Sequence, residues 1–268
     1  MSSLVDQYRN QGYNLLVMTT FERSIFIGDV HGCVVELLTL LGGLNVKPHK
    51  DRVIFLGDLP DKGPDSLGAL RLARQTIAQL PGSLCILGNH EKKWLRKIDR
   101  GQPPPEAEGI TDLDLAFLRS MPLFQRFPDI GCFAVHGGVF PKLLEALGTL
   151  EDADAVYPHP DKKRGKLVEK VAHTRQVDKN GDFVPLDKES ERGVGHWSKT
   201  YDGSLGYVLF GHQPEREPIV TMNALGLDTG CCYGWSLTAA IVRGPEDRPE
   251  IVSVPAFKQY AVHRNEEE

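Results

Sequence analysis

The stretch Gly28-Asp29-Val30-His31-Gly32 decides the fold. The apolar run at residues 24–27 before it predicts a buried strand, and residues 34–41 after it predict a helix that ends at Gly42-Gly43. A strand that passes into a helix through a glycine-rich turn is typical of α/β folds. Ligands of open α/β sheets gather beyond the carboxyl ends of the strands. The stretch is therefore a candidate for a ligand site as well as for a turn.

Two further strand ends in the first half of the chain repeat this pattern. Residues 53–56 predict a strand that ends at Gly57-Asp58, and residues 84–87 predict one that ends at Gly88-Asn89. Helices are expected after them, from residue 65 or 66 to 80 and over residues 90–98. This alternation of strands and helices predicts an α/β fold.

The second half of the chain has a different pattern. Residues 132–135 and 207–210 predict strands that end at His136-Gly137-Gly138 and Gly211-His212. No regular helices separate the later predicted strands, so we expect a more antiparallel sheet here. These later strands are at residues 225–227, 237–242 and 251–254.

The polar segment from about residue 151 to 203 is charged and only weakly periodic. It predicts an insertion or cap over the site, within a single domain that spans residues 24–268. Residues 1–23 are expected to form an N-terminal extension, because the organised pattern begins only at Ser24.

The composition excludes several classes of protein. Of the 268 residues, 41% are hydrophobic and 25% are charged, which is typical of a globular chain. A net charge of −5 excludes a surface that binds nucleic acid throughout, so any such binding must be local. The five cysteines lack CxxC spacing, which predicts neither a disulfide framework nor a thiolate zinc site but a reducing, cytoplasmic compartment. No apolar run is long enough to span a membrane, and no membrane partner is expected.

The five strand ends together supply oxygen and nitrogen donors and no thiolate. A single Gly-Asp is usually a turn, but five such ends in one chain favour a site. Two divalent cations that share a bridging carboxylate use such a donor set well. The six donors are Asp29, His31, Asp58, Asn89, His136 and His212. We expect the first two to bind one cation, Asp58 to bridge, and the last three to bind the other. Such ligands suit Mn²⁺, Fe, Zn²⁺ or Co²⁺, with Mn²⁺ expected.

These motifs resemble those of the phosphoprotein-phosphatase-type metallophosphoesterases. The resemblance extends over about residues 24–243. The motifs are Gly-Asp-Val-His-Gly (28–32), Gly-Asp-Leu-Pro-Asp-Lys-Gly-Pro-Asp-Ser (57–66), Gly-Asn-His-Glu (88–91), His-Gly-Gly (136–138) and Gly-His (211–212). The resemblance implies a calcineurin-like metallophosphoesterase fold, in which two packed central β-sheets are flanked by α-helices.

Within this superfamily, residues 227–238 are most similar to the ApaH-type bis(5′-nucleosyl)-tetraphosphatases and the ApaH-like phosphatases. The pair Thr174-Arg175 points the same way. Lys62 stands where most protein phosphatases and ApaH itself have arginine, whereas ApaH-like phosphatases typically carry lysine. Asp61 is shared with protein phosphatases, whereas ApaH enzymes often lack it, and Pro60 replaces the usual valine.

Four further side chains are candidates for catalysis or phosphate binding. His90 follows a predicted ligand at the start of a helix, which places it to protonate the leaving oxygen. By resemblance to the family, Asp61 orients His90 and stabilises its imidazolium form. Lys62 and Arg175 are the cationic candidates for contacts with phosphoryl oxygens.

Three other features each have two explanations. Tyr233 is a candidate for stacking on a base, and core packing explains it equally well. The basic run at residues 162–166 is suited to a polyanion or is a solvated loop. Cys33 and the pair Cys231-Cys232 lie near the predicted site, either as oxidation-sensitive thiols or as inert buried ones.

The expected function is the symmetrical hydrolysis of phosphoanhydride bonds in dinucleoside polyphosphates. Two cations lower the pKa of a water, which attacks phosphorus in line with the leaving oxygen. The alternatives are a serine/threonine protein phosphatase, which Asp61 favours, a polyphosphate or RNA-cap hydrolase, and a metal-stabilised binding module without turnover. The expected partner is accordingly a small-molecule nucleotide, a phosphoprotein or an RNA 5′ end.

Overall fold

The computed structural model describes residues 21–147 and 150–263, with the backbone alone for residues 146 and 147. The predicted N-terminal extension lies, as far as residue 20, outside the described residues. The strands are β1 (Arg23–Ile27), β2 (Asp51–Phe55), β3 (Leu84–Cys85), β4 (Phe124–Phe127), β5 (Cys132–Val135), β6 (Gln176–Val177), β7 (Gly195–His196), β8 (Tyr207–Phe210), β9 (Ile219–Val220), β10 (Ala224–Gly226), β11 (Ser236–Val242) and β12 (Glu250–Pro255). The helices are α1 (Val34–Leu44), α2 (Ser66–Gln79), α3 (Asn89–Asp99), α4 (Asp112–Ser120), α5 (Pro141–Leu147), α6 (Lys162–Val168) and α7 (Glu189–Arg192). Within these described ranges, no helix has both the length and the apolar character that crossing a membrane requires.

The first sheet has the strand order β12-β11-β1-β2-β3. Strands β1, β2 and β3 are parallel, and α1 and α2 supply the crossovers that parallel neighbours need. Strands β11 and β12 extend the sheet beyond β1 in antiparallel orientation. The three parallel strands therefore end at one edge of the sheet, where the predicted site motifs follow them.

The second sheet has the strand order β4-β5-β8-β10-β9. Its three central strands are parallel, and only β4 and β9 at its edges are antiparallel to their neighbours. The prediction of a more antiparallel sheet in this half was therefore wrong for the centre of the sheet. Parallel neighbours need a long crossover, and residues 136–206 provide it through short helices and turns. Because the described part of this crossover contains only short helices, the sequence pattern did not reveal it.

The two sheets pack face to face, which confirms the predicted fold class. Phe26 and Ile54 of the first sheet share an apolar cluster with Ala134 and Leu209 of the second. Ile25, the neighbour of Phe26 in β1, belongs instead to the cluster that contains the buried residues of α1 and α2. Burial on both faces explains why these strands are continuous apolar runs in the sequence.

Residues 151–203 form short elements that pack against the end of the second sheet. Trp197 is fully buried, and its ring centre lies 5.0 Å from that of Phe210 in β8. The carbonyl oxygen of Val171 accepts hydrogen bonds from the N–H groups of Gly137 and Gly138, just after β5. The segment is thereby held next to the predicted ligand at the end of that strand.

Candidate metal centre

The predicted site residues lie in loops of unusual backbone geometry. Among the described residues, seven that are not glycine have a positive φ angle, and five of these belong to the predicted site. The five are His31, Asp58, Asp61, Lys62 and His212. A left-handed conformation costs such residues roughly 1–2 kcal/mol each. It persists where the surrounding structure fixes it, which occurs most often at functional sites.

Glu91 fixes one of these loops. Its carboxylate is fully buried and accepts hydrogen bonds from the N–H groups of Asp58 and Leu59, at 3.0 and 2.6 Å. Gly88 allows this close approach, because a Cβ there would stand only 2.3 Å from Oδ1 of Asp58. Burial, followed by the charge of Asp58, raises the pKa of Glu91 to about 7. The sequence motif contained Glu91, but its supporting role becomes visible only in the structure.

Asp58 is the centre of the site. Its Oδ2 lies 3.3 Å from Nε2 of His136, 3.6 Å from Nε2 of His31 and 3.8 Å from Nε2 of His90. Its Oδ1 accepts a hydrogen bond from the backbone N–H of His90 at 2.9 Å. Burial opposes ionisation of Asp58, but the three imidazoles outweigh it and hold the pKa well below its usual range. Asp58 is thus a buried carboxylate among three nitrogen donors.

The surroundings of His136 fit a bound cation. Its Nδ1 lies 2.8 Å from the carbonyl oxygen of Leu56, to which it donates a hydrogen bond. Its Nε2 faces Oδ1 of Asn89 at 2.9 Å and Oδ2 of Asp58 at 3.3 Å. Three electron-rich atoms therefore face one another unless a proton or a cation stands between them. Burial opposes a charged ring, but Asp58 and Asp29 outweigh it and raise the pKa of His136 to about 10. A metal cation would take the place of that proton.

Asp29 is also buried beside another carboxylate. Both of its oxygens accept a hydrogen bond from the backbone N–H of His212, at 3.1 Å each. Burial, followed by the charge of Asp228, raises the pKa of Asp29 well above its usual range. Burial likewise raises the pKa of Asp228, to which the sequence analysis assigned no role although its motif contained it. Two buried carboxylates that repel each other are a further sign that cations belong here.

At this site, the described residues include two groups of three side chains whose ligand atoms lie within 4.8 Å of one another, and Asp58 is a member of both. One group contains Asp58, His136 and His212, as expected for the second cation. The other contains Asp58 with His31 and His90, whereas Asp29 was expected beside His31. Oδ2 of Asp29 lies 3.9 Å from Nε2 of His31, so it borders this group. The structure thus brings the six predicted ligands together around a shared carboxylate.

His90 and Asp61 form a close pair. Nδ1 of His90 lies 2.5 Å from Oδ2 of Asp61. Asp61 also accepts hydrogen bonds from the indole of Trp94 at 2.7 Å and the ammonium of Lys93 at 3.0 Å. Burial opposes ionisation, but the bonds from His90 and Trp94 outweigh it and lower the pKa of Asp61. The carboxylate thereby holds the proton on Nδ1 and leaves Nε2 facing the centre of the site.

Lys62 and Tyr233 lie together beside His31, at the edge of the first sheet where the predicted ligands converge. The ammonium of Lys62 donates to Nε2 of His31 at 3.0 Å and stands 5.1 Å from the centre of the Tyr233 ring. Burial opposes the charge, but Tyr233 and Asp58 outweigh it and raise the pKa of Lys62. Tyr233 is only partly buried, and its ring also contacts Trp235, with 5.9 Å between the ring centres.

Arg175 and His173 approach the site from the 151–203 segment. Nη2 of Arg175 donates to the carbonyl oxygen of His212 at 3.0 Å, whereas its buried Nε has no hydrogen-bond partner within the described ranges. The exposed ring of His173, which the sequence analysis did not single out, lies 6.3 Å from that of His212. Its Nε2 lies 3.4 Å from the ammonium of Lys92. The basic run at residues 162–166 is part of helix α6 rather than a loop.

Buried carboxylates and imidazoles that converge beyond the strand ends of two packed sheets define a metal-dependent phosphoesterase. A model of the calcineurin-like phosphoesterase family matches residues 23–216, and the chain belongs to that family. Membership implies divalent metal ions, for which the buried aspartate and histidine groups are the candidate ligands.

Three known proteins illustrate this similarity. A relative from Shewanella sediminis (strain HAW-EB3), named bis(5′-nucleosyl)-tetraphosphatase, symmetrical, is 37% identical over 80% of this chain and 92% of its own. A relative from Halalkalibacterium halodurans, named bis(5′-nucleosyl)-tetraphosphatase PrpE, asymmetrical, is 28% identical over 86% of this chain and 92% of its own. A crystal structure of a provisionally assigned diadenosine tetraphosphatase has a TM-score of 0.70 at 28% identity, covering 91% of this chain and 96% of its own. The predicted resemblance is confirmed.

Proposed function

We propose that the protein hydrolyses the phosphoanhydride bonds of dinucleoside tetraphosphates in the symmetrical manner. The observation that carries this proposal is the convergence of three imidazoles on Asp58. His90, one of the three, is paired with Asp61. The positively charged side chains of Lys62 and Arg175 contact His31 and His212 of the same site. The names of the relatives support the substrate class. The relative named symmetrical that is 37% identical supports symmetrical cleavage, and the relatives named asymmetrical, at 25–28% identity, make release of ATP and AMP the outcome to test against.

Two divalent cations are part of this proposal, with Mn²⁺ as the first candidate. We assign the carboxylate, imidazole and amide groups that converge on the site as the ligands of these cations. Such groups suit Mn²⁺ as well as Fe, Zn²⁺ and Co²⁺. When bound, such cations supply a water-derived nucleophile at neutral pH and neutralise phosphate charge. The ligands are Asp29, His31, Asp58, Asn89, His136 and His212.

His90 is proposed to protonate the leaving oxygen. The hydrogen bond of 2.5 Å to Asp61 holds Nδ1, so Nε2 is the nitrogen available to the substrate. The negative charge of Asp61 stabilises the doubly protonated ring that must donate the proton. Because Trp94 and Lys93 also hold Asp61, the ring of His90 is restrained in one orientation.

Lys62 and Arg175 are proposed to bind the phosphates of the substrate. The ammonium of Lys62 lies 3.0 Å from Nε2 of His31, a nitrogen that we assign to a cation. With His31 as a metal ligand, the charge of Lys62 would be available to a phosphate oxygen of the substrate. Arg175 is a second charged donor, and its buried Nε has no hydrogen-bond partner among the described residues. Tyr233, under Lys62, is proposed to contact the nucleoside beside that phosphate.

The direct test is to resolve the products of diadenosine tetraphosphate by chromatography, with Mn²⁺ and with a chelator. Mn²⁺-dependent release of two ADP is the expected result. Release of ATP and AMP would retain the substrate and overturn symmetrical cleavage. A tetraphosphate that stays intact while a phosphopeptide is hydrolysed would overturn the proposed substrate class.

A serine/threonine protein phosphatase is the second candidate. The specific observation in its favour is Asp61, which is paired with His90 and shared with protein phosphatases. An RNA 5′ end is a further possible substrate, for which the exposed lysines 162, 163 and 166 of α6 supply positive charge. We also propose a cytoplasmic location, which the five free cysteines support.

A further inference from the structure

Three buried side chains outside the candidate metal centre converge next to the loop at residues 28–32. Cys33 and Glu36 lie at the start of α1, and Cys231 lies between β10 and β11. The two sulfur atoms and one carboxylate oxygen of Glu36 all lie within 4.8 Å of one another. Each of the three residues is at most 1% exposed. The spacing of the cysteines in the sequence gave no sign of this cluster, because the fold brings its members together from distant segments.

Among the described residues, only one oxygen of the Glu36 carboxylate has hydrogen-bond partners. Its Oε1 accepts hydrogen bonds from the N–H of Phe257 at 3.0 Å and from the hydroxyl of Tyr260 at 2.9 Å. Its Oε2 is buried and has no hydrogen-bond partner in the part of the chain that the structure describes. A buried polar atom without a partner has lost its hydrogen bonds to water and gained none in return, which destabilises the fold. Such an atom in a folded protein calls for an explanation, and a bound ion is one.

We propose that Cys33, Cys231 and Glu36 hold a thiophilic divalent cation such as Zn²⁺. Thiolates bind Zn²⁺ at about 2.3 Å and carboxylates at about 2.0–2.2 Å, so the ligand atoms of one ion lie about 3–4 Å apart. Atoms already within 4.8 Å of one another need only a small contraction to reach this geometry. Binding replaces the two thiol protons, which pass to the solvent. The hydroxyl of Tyr260 is a further oxygen at this site.

The start of α1 favours negative charge at Cys33 and Glu36, whereas the neighbouring Cys33 and burial raise the pKa of the Cys231 thiol, so Cys231 needs a cation to become a thiolate. Cys33 is the residue that precedes the first turn of α1, and Glu36 lies in that turn. The partial positive charge of a helix N-terminus stabilises thiolates and carboxylates there. A divalent cation would balance most of the charge that two thiolates and one carboxylate carry.

A cation at this cluster would join three parts of the chain. Glu36 belongs to α1 and already binds the C-terminal segment through Phe257 and Tyr260. The N–H groups of Tyr260 and Ala261 in turn donate to the carbonyl oxygen of Cys232, next to Cys231. The site is therefore structural in position, and it does not rest on the proposed hydrolytic function.

Cobalt spectroscopy of the full chain tests this inference. Metal-free protein in a phosphine reductant is titrated with Co²⁺, and a thiolate-to-cobalt charge-transfer band in the near ultraviolet is expected. The donors of the candidate metal centre contain no sulfur and cannot produce this band. Zn²⁺ is expected to displace the cobalt and abolish the band, and Cys231→Ser and Cys33→Ser are expected to lack it.

Two control variants are expected to keep the band. Cys132→Ser removes another buried free thiol, and Asp58→Asn damages the candidate metal centre instead. Absence of the band in the unaltered protein saturated with Co²⁺ would overturn the inference without any variant. Persistence of the band in Cys231→Ser would overturn it as well. Neither result depends on whether the protein hydrolyses a dinucleotide.

Discussion

Two parts of the molecule hold functional side chains in different ways. One is the set of metal-facing loops, at residues 28–32, 57–62 and 88–91, and the other is the segment at residues 151–203. In the loops, Asp58 is buried and bonded to the backbone N–H of His90. Its own N–H is bonded to the buried Glu91. In the segment, Arg175 is only partly buried and donates to the carbonyl oxygen of His212 through Nη2, and its Nε has no partner in the described part of the chain.

This difference separates two tasks that one site has to perform. Metal ligands must keep fixed distances, so a strained backbone held by buried hydrogen bonds suits them. Phosphate groups of a flexible substrate arrive in varied orientations, so a long side chain with a spare donor suits them. We therefore expect variants of the metal ligands in the metal-facing loops to affect mainly kcat, and variants of Arg175 in the segment to affect mainly KM.

The largest effect is expected for Asp58→Asn in the metal-facing loops. Loss of the charge shared by both groups of ligands should reduce the bound metal and lower kcat by about 10³-fold or more, at least the scale of losing one oxyanion donor. Metal content by elemental analysis and steady-state kinetics measure the two quantities. Asp129→Asn, which alters a partly exposed carboxylate bonded to Arg52, is the control and should retain both. Full metal content and activity in Asp58→Asn would refute the bridging role.

His90→Asn separates proton transfer from metal binding within the same loops. We expect kcat to fall by about 10²–10⁴-fold while the metal content stays unchanged, because His90 is assigned to the leaving oxygen and not to a cation. His49→Asn is a matched control, since His49 is exposed and has a left-handed backbone that asparagine tolerates. An unchanged kcat would exclude the general acid, and a loss of metal would make His90 a ligand.

Arg175→Gln tests whether the segment at residues 151–203 binds the phosphates of the substrate. Loss of a charged hydrogen bond to phosphate should lower kcat/KM by about 10–100-fold, mainly through a higher KM. Arg192→Gln alters an exposed arginine of the same segment, paired with Asp178, and should leave both constants unchanged. If Arg175→Gln lowers kcat at unchanged KM, the division of tasks between loops and segment is wrong.

The smallest effect is expected for the ion pair between Asp154 and Arg164 within the segment. Hydrogen bonds from Arg164 lower the pKa of Asp154 to about 2 in the folded protein, below its ordinary value of about 3.9. The unfolded chain therefore binds this proton more tightly, so the stabilisation is complete above about pH 4 and is lost as the pH falls towards 2.

Asp154→Asn should accordingly lower the free energy of unfolding by about 1 kcal/mol near neutral pH. The difference from the unaltered protein should shrink below about pH 4, as urea unfolding at several pH values would measure. Arg164→Gln and the double variant complete the cycle and isolate the pair. A difference that stays constant with pH would show that packing, and not the ion pair, is lost.

The metal-facing loops could be predicted from the sequence because their signal is local. Each predicted ligand in them lies within four residues of the end of a strand, and parallel strands end at the same edge whatever the details of packing. The signal for the start of α2 is also local, because the side chain of Asp65 caps the helix by accepting a hydrogen bond from the N–H of Gly68.

The supporting residues could not be predicted in this way, because their partners are distant in the sequence. Glu91 accepts hydrogen bonds from the N–H groups of Asp58 and Leu59, more than thirty residues earlier in the chain. The sequence around Glu91 does not indicate these partners. His173 reaches His212 only because the 151–203 segment returns to the end of β5. The same segment forms part of the crossover that makes β5 and β8 parallel. Its sequence has no clear helical periodicity, so the crossover could not be predicted.

The division of the six proposed ligands between the two sheets has a consequence for assembly. Four of them follow strands of the first sheet, whereas His136 and His212 follow β5 and β8 of the second. Neither half of the molecule can complete the proposed ligand set before the sheets have docked, so cations bound there would stabilise only the fully folded protein. At a concentration of one hundred times its Kd, a cation that binds only the native state adds about 2.7 kcal/mol to the free energy of unfolding.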